Sequence, residues 1–334
     1  MIVNIGNTSA KKYALLVYTN VNALVVVEKG DISYSVVADN YGHALFSLSA
    51  GECIVTVTVG EVSETYTIVI DSNMVISIMP NIVPSFEYTG DFYIVREEEN
   101  DWKIYFTTSG NLTFTDLGNA RDGIDVFCVG GGGAGGSGNT GVGGAGGAGG
   151  FTTTQNGVIV NSNESYEIVV GGGGTGAYST YGGAGGDTSA FGITAIGGGG
   201  AKENVGGSGG SGGAGACSTN VNTGANGGSD GSNGSGGDRA GGGTGQGTTT
   251  REFGEDDGKL YAGGGGSAQW TKNDGRRGGY GGAGGGGNGG TAGPGSSGAT
   301  NTGGGGGGSL GPDNFAYPGA NGGSGIVVIR NRRS

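Results

Sequence analysis

Apolar and polar residues alternate clearly in two early stretches of the chain. Cys53, Val55, Val57 and Val59 fall on one face of a two-residue repeat, with Thr56 and Thr58 on the other. Tyr66, Ile68 and Ile70 repeat the pattern. Runs rich in Val, Ile, Thr and Tyr at 12–19, 23–28, 33–38, 43–48, 53–59 and 64–70 predict short strands. Turn residues separate them at Lys29-Gly30-Asp31, Asp39-Asn-Tyr-Gly42 and Ser49-Ala-Gly51. Residues 1–71 therefore read as a small all-β domain.

Residues 72–101 read as a connector. Pro80 and Pro84 flank a hinge, because Pro fixes φ and biases the preceding residue away from helix. A strand with a turn is expected over 86–95. The apolar runs 102–106 and 112–115 are expected to pair as a hairpin through Thr108-Ser-Gly-Asn111. Further strand-like runs stand at 124–129, 158–160, 166–170, 191–196 and 326–330. With the two hairpin strands they number about seven, which suits a second sandwich over 102–334.

Composition changes the picture of that second part. Of 88 glycines, only nine precede Gly130, and the rest crowd the block from Gly130 to Gly325. Ile124-Asp-Val-Phe-Cys-Val129 leads into the block and Ile326-Val-Val-Ile-Arg330 leaves it. A flexible linker has no reason to begin and end on strands that could pair with each other. Inside, runs such as Gly143-Gly-Ala-Gly-Gly-Ala-Gly-Gly-Phe151 place two glycines in every three residues.

Three residues per turn is the period of the polyproline-II helix. Collagen uses it with strict Gly-X-Y and much proline, and the five prolines here exclude it. Two readings remain: a disordered low-complexity tract, or packed polyglycine-II helices. Ordering costs Gly about 0.5–1 kcal/mol more than Ala, and Gly brings no side chain to bury. Order would have to come from backbone hydrogen bonds between neighbouring helices. The embedded strands favour the ordered reading. The predicted fold class is all-β: an N-terminal β-sandwich, then a β-sandwich bearing polyglycine-II insertions.

A net charge of −12 makes the chain a poor ligand for nucleic acid or anionic membranes. The N-terminus lacks a basic region followed by a long apolar run, so no signal peptide is expected. Nor is there an apolar run of about 18 residues to cross a membrane. Cys53, Cys128 and Cys217 are odd in number and far apart, which suits neither a disulfide framework nor zinc. Cys53 and Cys128 read as small core residues.

Two resemblances follow from these residues. Val25-Val-Val-Glu-Lys-Gly30, Asp39-Asn-Tyr-Gly-His-Ala-Leu-Phe46 and Ala50-Gly-Glu-Cys-Ile-Val-Thr-Val57 resemble the carboxypeptidase-regulatory or transthyretin-like modules, with Cys53 where a Tyr usually sits. The likeness implies that residues 1–71 form a small seven-stranded β-sandwich, a spacer or attachment module without catalysis. From Trp102 to the C-terminus the chain resembles the glycine-rich domain of bacteriophage tail and virion-appendage proteins. That likeness rests on Phe106-Thr-Thr-Ser-Gly-Asn-Leu-Thr-Phe114, Ile124-Asp-Val-Phe-Cys-Val-Gly-Gly-Gly-Gly133 and Ile193-Thr-Ala-Ile-Gly-Gly-Gly-Gly200. Tyr261-Ala-Gly-Gly-Gly-Gly266 and Gly322-Gly-Ser-Gly-Ile-Val-Val-Ile-Arg330 extend it. It implies apolar segments in a β-sandwich, with glycine runs leaving it as polyglycine-II helices.

Candidate chemistry is sparse. Gly130-Gly-Gly-Gly-Ala-Gly135 matches the dinucleotide fingerprint only as chance in so much glycine, since more glycine follows where a helix is needed. His43, the one histidine, reads as a turn residue. Glu252, Glu255, Asp256 and Asp257 read as a solvated acidic loop. No catalytic residues, cofactor site or metal site are expected. Aromatic and polar residues at the tips of the long glycine excursions are the better candidates: Phe253, Tyr261, Trp270, Arg276, Phe315 and Tyr317. Two roles are open to them, contact with a partner or a cover over the glycines.

The expected function is that of a non-enzymatic bacteriophage virion protein, made in the host cytoplasm, acting as a tail-fibre or tip adhesin. The alternative is a structural virion component, such as a capsid decoration, head fibre or baseplate part, without a receptor. Expected partners are other virion proteins and a bacterial surface glycan or protein, with no nucleic acid and no membrane insertion. No coiled-coil heptads are visible, so a homotrimer would assemble through β or glycine surfaces.

Overall fold

The computed structural model describes residues 11–20, 22–59, 62–78, 83–98, 101–138, 143–203, 205–216, 232–234, 250–269, 277–311 and 317–332. The chain divides into two compact units. One holds residues 1–85, 96–102 and 115–122; the other holds 86–95, 103–114 and 123–334.

The first unit contains β1 (Lys12–Tyr18), β2 (Leu24–Lys29), β3 (Ile32–Val37), β4 (His43–Ser49), β5 (Gly51–Val59), β6 (Val62–Ile70) and β7 (Met74–Ser77). They form a three-stranded sheet, β4-β1-β7, and a four-stranded sheet, β3-β2-β5-β6. The alternating positions become the core: Leu15, Val17, Phe46 and Leu48 from one sheet, Val25, Val27, Cys53, Val55 and Val57 from the other. β1 pairs antiparallel with β4 and parallel with β7. β7 lies beyond residue 71, where the first module was expected to end. Its four residues are too short for periodicity to single out, and only pairing with β1 makes them a strand.

The strands that follow are β8 (Ser85–Tyr88), β9 (Phe92–Glu98), β10 (Asp101–Phe106), β11 (Gly110–Asp116) and β12 (Ile124–Val129). There follow β13 (Ser137–Gly138), β14 (Thr152–Val158), β15 (Ser165–Val169), β16 (Thr188–Ala190), β17 (Ile193–Ala195), β18 (Ser309–Leu310) and β19 (Ile326–Asn331). Two five-stranded sheets, β14-β12-β19-β10-β9 and β17-β16-β15-β11-β8, carry the sandwich. The bracketing strands pair as the sequence suggests: β12 and β19 are antiparallel neighbours, with Val129 opposite Ile326. The expected hairpin of 102–106 with 112–115 does not form. β10 pairs with β19, whereas β11 pairs with β15 in the other sheet. The turn between them carries the chain across the sandwich, so both strands bury apolar side chains, among them Ile104, Phe106, Leu112 and Phe114.

Several of the glycine runs, those at 130–138, 143–150, 262–269 and 303–310, are buried structure. The amides of Gly131 to Gly136 donate in rotation to three segments. Gly131 and Ala134 reach Gly186 and Gly183, Gly132 and Gly135 reach Gly323 and Ala320, and Gly133 and Gly136 reach Ala148 and Ala145, all at 2.8–2.9 Å. Each neighbour is met again after three residues. The carbonyls of the same stretch accept from Gly198 and Ala201, from Gly174, and from Gly306 and Ser309. One extended run is thus bonded to six others. The rotation continues outward, with Gly147 donating to Gly306 and accepting from Gly265, and Gly305 donating to Gly263.

Such spacing leaves no room for side chains. A Cβ at Gly132 would stand 2.1 Å from the carbonyl oxygen of Gly304, and one at Gly305 would stand 2.1 Å from that of Gly147. Alanines take the remaining interior places, and Ala145, Ala201 and Ala216 cluster there. The backbone hydrogen bonds replace the hydrophobic term that glycine lacks.

Candidate functional site

Three neighbouring strands place charge on the outward face of one sheet. Alternation turns Ile124, Val126 and Cys128 of β12 one way, and Asp125, Phe127 and Val129 the other. Register sets Arg330 of β19 opposite both Asp125 of β12 and Lys103 of β10. The segment 250–262 covers this face. Arg330 Nε donates to Asp125 Oδ2 at 3.1 Å, and its guanidinium also pairs with Glu255 and lies 4.0 Å from the Phe253 ring centre. Lys103 Nζ stands 2.9 Å from Glu252 Oε1. The hydroxyls of Tyr105 and Tyr261 donate to the two oxygens of Glu252 at 3.0 and 2.7 Å.

This arrangement corrects one expectation and decides between two others. Glu252, expected in a solvated acidic loop, is 2% exposed. Phe253 and Tyr261, candidates for a surface-binding loop with cover as the other open role, are 8% and 0% exposed and so act as cover. They pack with Tyr105, Phe127, Val129 and Val328 in one apolar cluster. The physical reason is that the charged strand face needs counter-charge and apolar cover once it leaves water. Burial, and next the charge of Glu252, raise the pKa of the Tyr261 hydroxyl far above its ordinary range, so it stays a donor.

Trp270, Arg276 and Phe315 lie outside the described residues. Tyr317 is described and 37% exposed. Two residues later, Gly319 donates to Ala177 at 3.0 Å, which sets Tyr317 at the same end of the bundle as the turn 178–181. That turn holds Tyr178 and Tyr181, 74% and 53% exposed. The Tyr181 hydroxyl donates to Glu203 at 2.7 Å, and this bond raises its pKa. Glu203 belongs to the tight turn closed by Lys202 and Val205, which exchange backbone hydrogen bonds at 2.9 and 3.0 Å. Ser137 donates to Ser179 at 2.8 Å, tying the turn to the end of the central run.

The structure thus gathers Tyr178, Tyr181, Glu203 and Tyr317 at the end of the runs away from β12. Reading from sequence missed the first three. The available signal was the interruption Ala177-Tyr-Ser-Thr-Tyr181 between two glycine runs, where the triplet pattern breaks. Among the described residues, no group of three His, Cys, Asp or Glu side chains could hold a metal ion.

A family model described as a glycine-rich domain matches residues 107–332. The chain belongs to the glycine-rich domain family. No curated protein matches it. Among solved structures it is similar to a DUF3823 family protein from Parabacteroides merdae ATCC 43184, at 10% identity and a TM-score of 0.22, covering 36% of this chain and 66% of that one. A DUF3823 family protein from Bacteroides ovatus ATCC 8483 is 12% identical, with a TM-score of 0.20, covering 47% of this chain and 88% of that one. Scores this low carry no inference of fold or function.

Within the glycine-rich domain, the two aromatic groups therefore have different chemistry available. Phe253 and Tyr261 are spent on the covered sheet face. Tyr178, Tyr181 and Tyr317 present amphipathic rings to solvent, with Tyr181 bonded to Glu203, and such rings can stack on an apolar surface while hydrogen-bonding at its rim.

Proposed function

We propose that the protein is a non-enzymatic bacteriophage virion component, a tail-fibre or tip adhesin. In this reading the glycine runs are packed polyglycine-II helices forming a rigid stalk. Their far-end turns, with Tyr178, Tyr181 and Tyr317, meet a glycan or protein of the bacterial surface. The observation that carries it is the three-residue rotation of hydrogen bonds from Gly131 to Gly136, which holds those turns in fixed positions. The resemblance of 102–334 to glycine-rich phage appendage domains supplies the setting: synthesis in the host cytoplasm and incorporation into the virion.

The test is adsorption. Purified protein should bind host cells and slow attachment of the phage. A variant combining Tyr178→Ser, Tyr181→Ser and Tyr317→Ser should lose both effects at unchanged melting temperature. Protein that binds no host cell and leaves adsorption unaltered would overturn the adhesin reading.

A structural role in the particle is favoured by a different observation. Ile32 and Val37 on β3, and Leu45 on β4, are exposed apolar side chains of the first unit, suited to packing against other virion proteins. If assembly is the role, deleting the gene impairs particle formation, and the particles that do form adsorb normally.

A further inference from the structure

The covered sheet face presses an amine against a carboxyl group. Lys103 Nζ stands 2.9 Å from Glu252 Oε1, and the two side chains are 8% and 3% exposed. Lys103 belongs to β10 and Glu252 to the covering segment, so the contact spans much of the chain.

Neither partner is free to swing away. Pairing with β19 sets Lys103 opposite Arg330. The covering segment closes on itself: the Glu252 amide donates to Lys259 at 2.9 Å, and the Tyr261 amide donates to Thr250 at 3.0 Å. Phe253, next to Glu252, holds a φ of 54°, a costly conformation for an aromatic residue. Its ring centre lies 5.8 Å from Lys103 Nζ. A nitrogen at hydrogen-bond distance from a carboxyl oxygen is close to the roughly 3–3.5 Å separation from which a bond forms.

Both carboxyl oxygens are also gripped by phenols. The Tyr105 hydroxyl donates to Oε1 at 3.0 Å and the Tyr261 hydroxyl to Oε2 at 2.7 Å. Fixed donors of this kind stabilise negative charge that develops on an oxygen during acyl transfer. Tyr105, Phe127, Phe253, Tyr261 and Val328 pack as one buried apolar cluster around the contact. Burial strips hydration from the ion pair, and that penalty can exceed the attraction between the charges. The neutral pair is reached by moving one proton along the 2.9 Å contact.

We propose that Lys103 and Glu252 condense into an intramolecular amide bond. One proton passes from Nζ to Oε1, leaving a neutral amine and a neutral carboxylic acid. The Nζ lone pair attacks Glu252 Cδ and forms the C–N bond, while Tyr261 holds the charge on Oε2. A second proton moves from Nζ to the Oε1 hydroxyl, the Cδ–Oε1 bond breaks, and one water leaves. Atoms and charge balance without an oxidant or a co-reactant. The bond closes a loop that contains the buried glycine runs 130–138 and 143–150. Glycine loses more freedom on folding than any other residue, and closing a long loop restricts the unfolded chain most.

The test is mass spectrometry of the full purified chain in denaturant, joined to a tryptic map. The intact mass should fall one water below the sequence mass. Trypsin should fail to cut after Lys103, and a branched peptide should join 97–121 to 252–259. Lys103→Arg keeps the cation, yet it should restore the full mass of its own sequence and abolish the branched peptide. Wild type at its full sequence mass, with normal cleavage after Lys103, overturns the proposal. So does water loss that survives Lys103→Arg. Water loss without a branched peptide, as cyclisation at Asp257-Gly258 would give, also overturns it. Adsorption to cells plays no part in these readouts, so the adhesin reading stands or falls separately.

Discussion

The amide of Gly132 donates to the carbonyl of Gly323 at 2.9 Å, although nearly the whole glycine block separates them in sequence. The block is therefore closed on itself by backbone contacts between its two ends. β12 and β19 do the same one step earlier, in the sheet. Side chains play little part in the first closure and dominate the second.

Position within the bundle should decide what an added methyl does. Gly132→Ala would drive a Cβ to 2.1 Å from the Gly304 oxygen. The backbone must shift, and destabilisation of about 1–3 kcal/mol or more is expected. Gly172 is exposed, with nothing within 4 Å of its Cβ position. Gly172→Ala should instead raise stability by about 0.4–1 kcal/mol, through a less flexible unfolded chain. Urea unfolding of both variants separates the outcomes. Equal effects would remove the close-packed bundle.

Glu252 should matter to stability more than its place in an acidic stretch implies. Glu252→Ala removes the carboxylate that faces Lys103, Tyr105 and Tyr261 inside the covered sheet face. Loss of about 3–5 kcal/mol is expected, because a buried cation loses its counter-charge. Trypsin should then cut the folded protein faster at Arg251 or Lys259 than it cuts wild type. Unchanged proteolysis would mean that the segment 250–262 is not held by this contact.

Acid should act on the first unit at the turn before β4. The backbone amides of His43 and then Tyr41 donate to Asp39 and hold its carboxyl below the ordinary value of 3.8. A depressed folded pKa contributes stability that is present above the unfolded value, about 3.9. That contribution is lost as pH falls through the lower folded value. Melting temperatures of the wild type should fall across that acid range. Asp39→Asn, which keeps an acceptor oxygen without a titrating group, should flatten that part of the profile.

Cys128 should be inert in the folded protein. Burial in β12 pushes its thiol up to about 12, so little thiolate is present at neutral pH. In a Cys217→Ser background, iodoacetamide should label neither Cys53 nor Cys128, both buried, until denaturant opens the fold. Rapid labelling of native protein would show that one of the strands opens readily.

Much of the β structure was legible because side chains report it. The alternation in 53–59 became β5, and the apolar runs 124–129 and 326–330 became paired strands. The hairpin expected from 102–106 and 112–115 failed because apolar runs specify burial without naming the partner strand. β10 and β11 satisfy that burial from opposite sheets. The site was less legible still. An aromatic residue in a glycine-rich context reads alike whether it caps a core or faces solvent, and Phe253 and Tyr178 differ only in what folds over them.

The sequence by itself determined the all-β class, the two bracketing strands and the three-residue period of the glycine runs. Each follows from local chemistry: side-chain alternation in strands, and a backbone without Cβ in the runs. The tertiary structure decided which run lies beside which, because glycine segments carry no side chains to distinguish their neighbours. It also decided that Phe253 and Tyr261 are covered while Tyr178 and Tyr181 are displayed. That outcome turns on the charges of Lys103, Asp125 and Arg330, brought side by side only when β10, β19 and β12 pair.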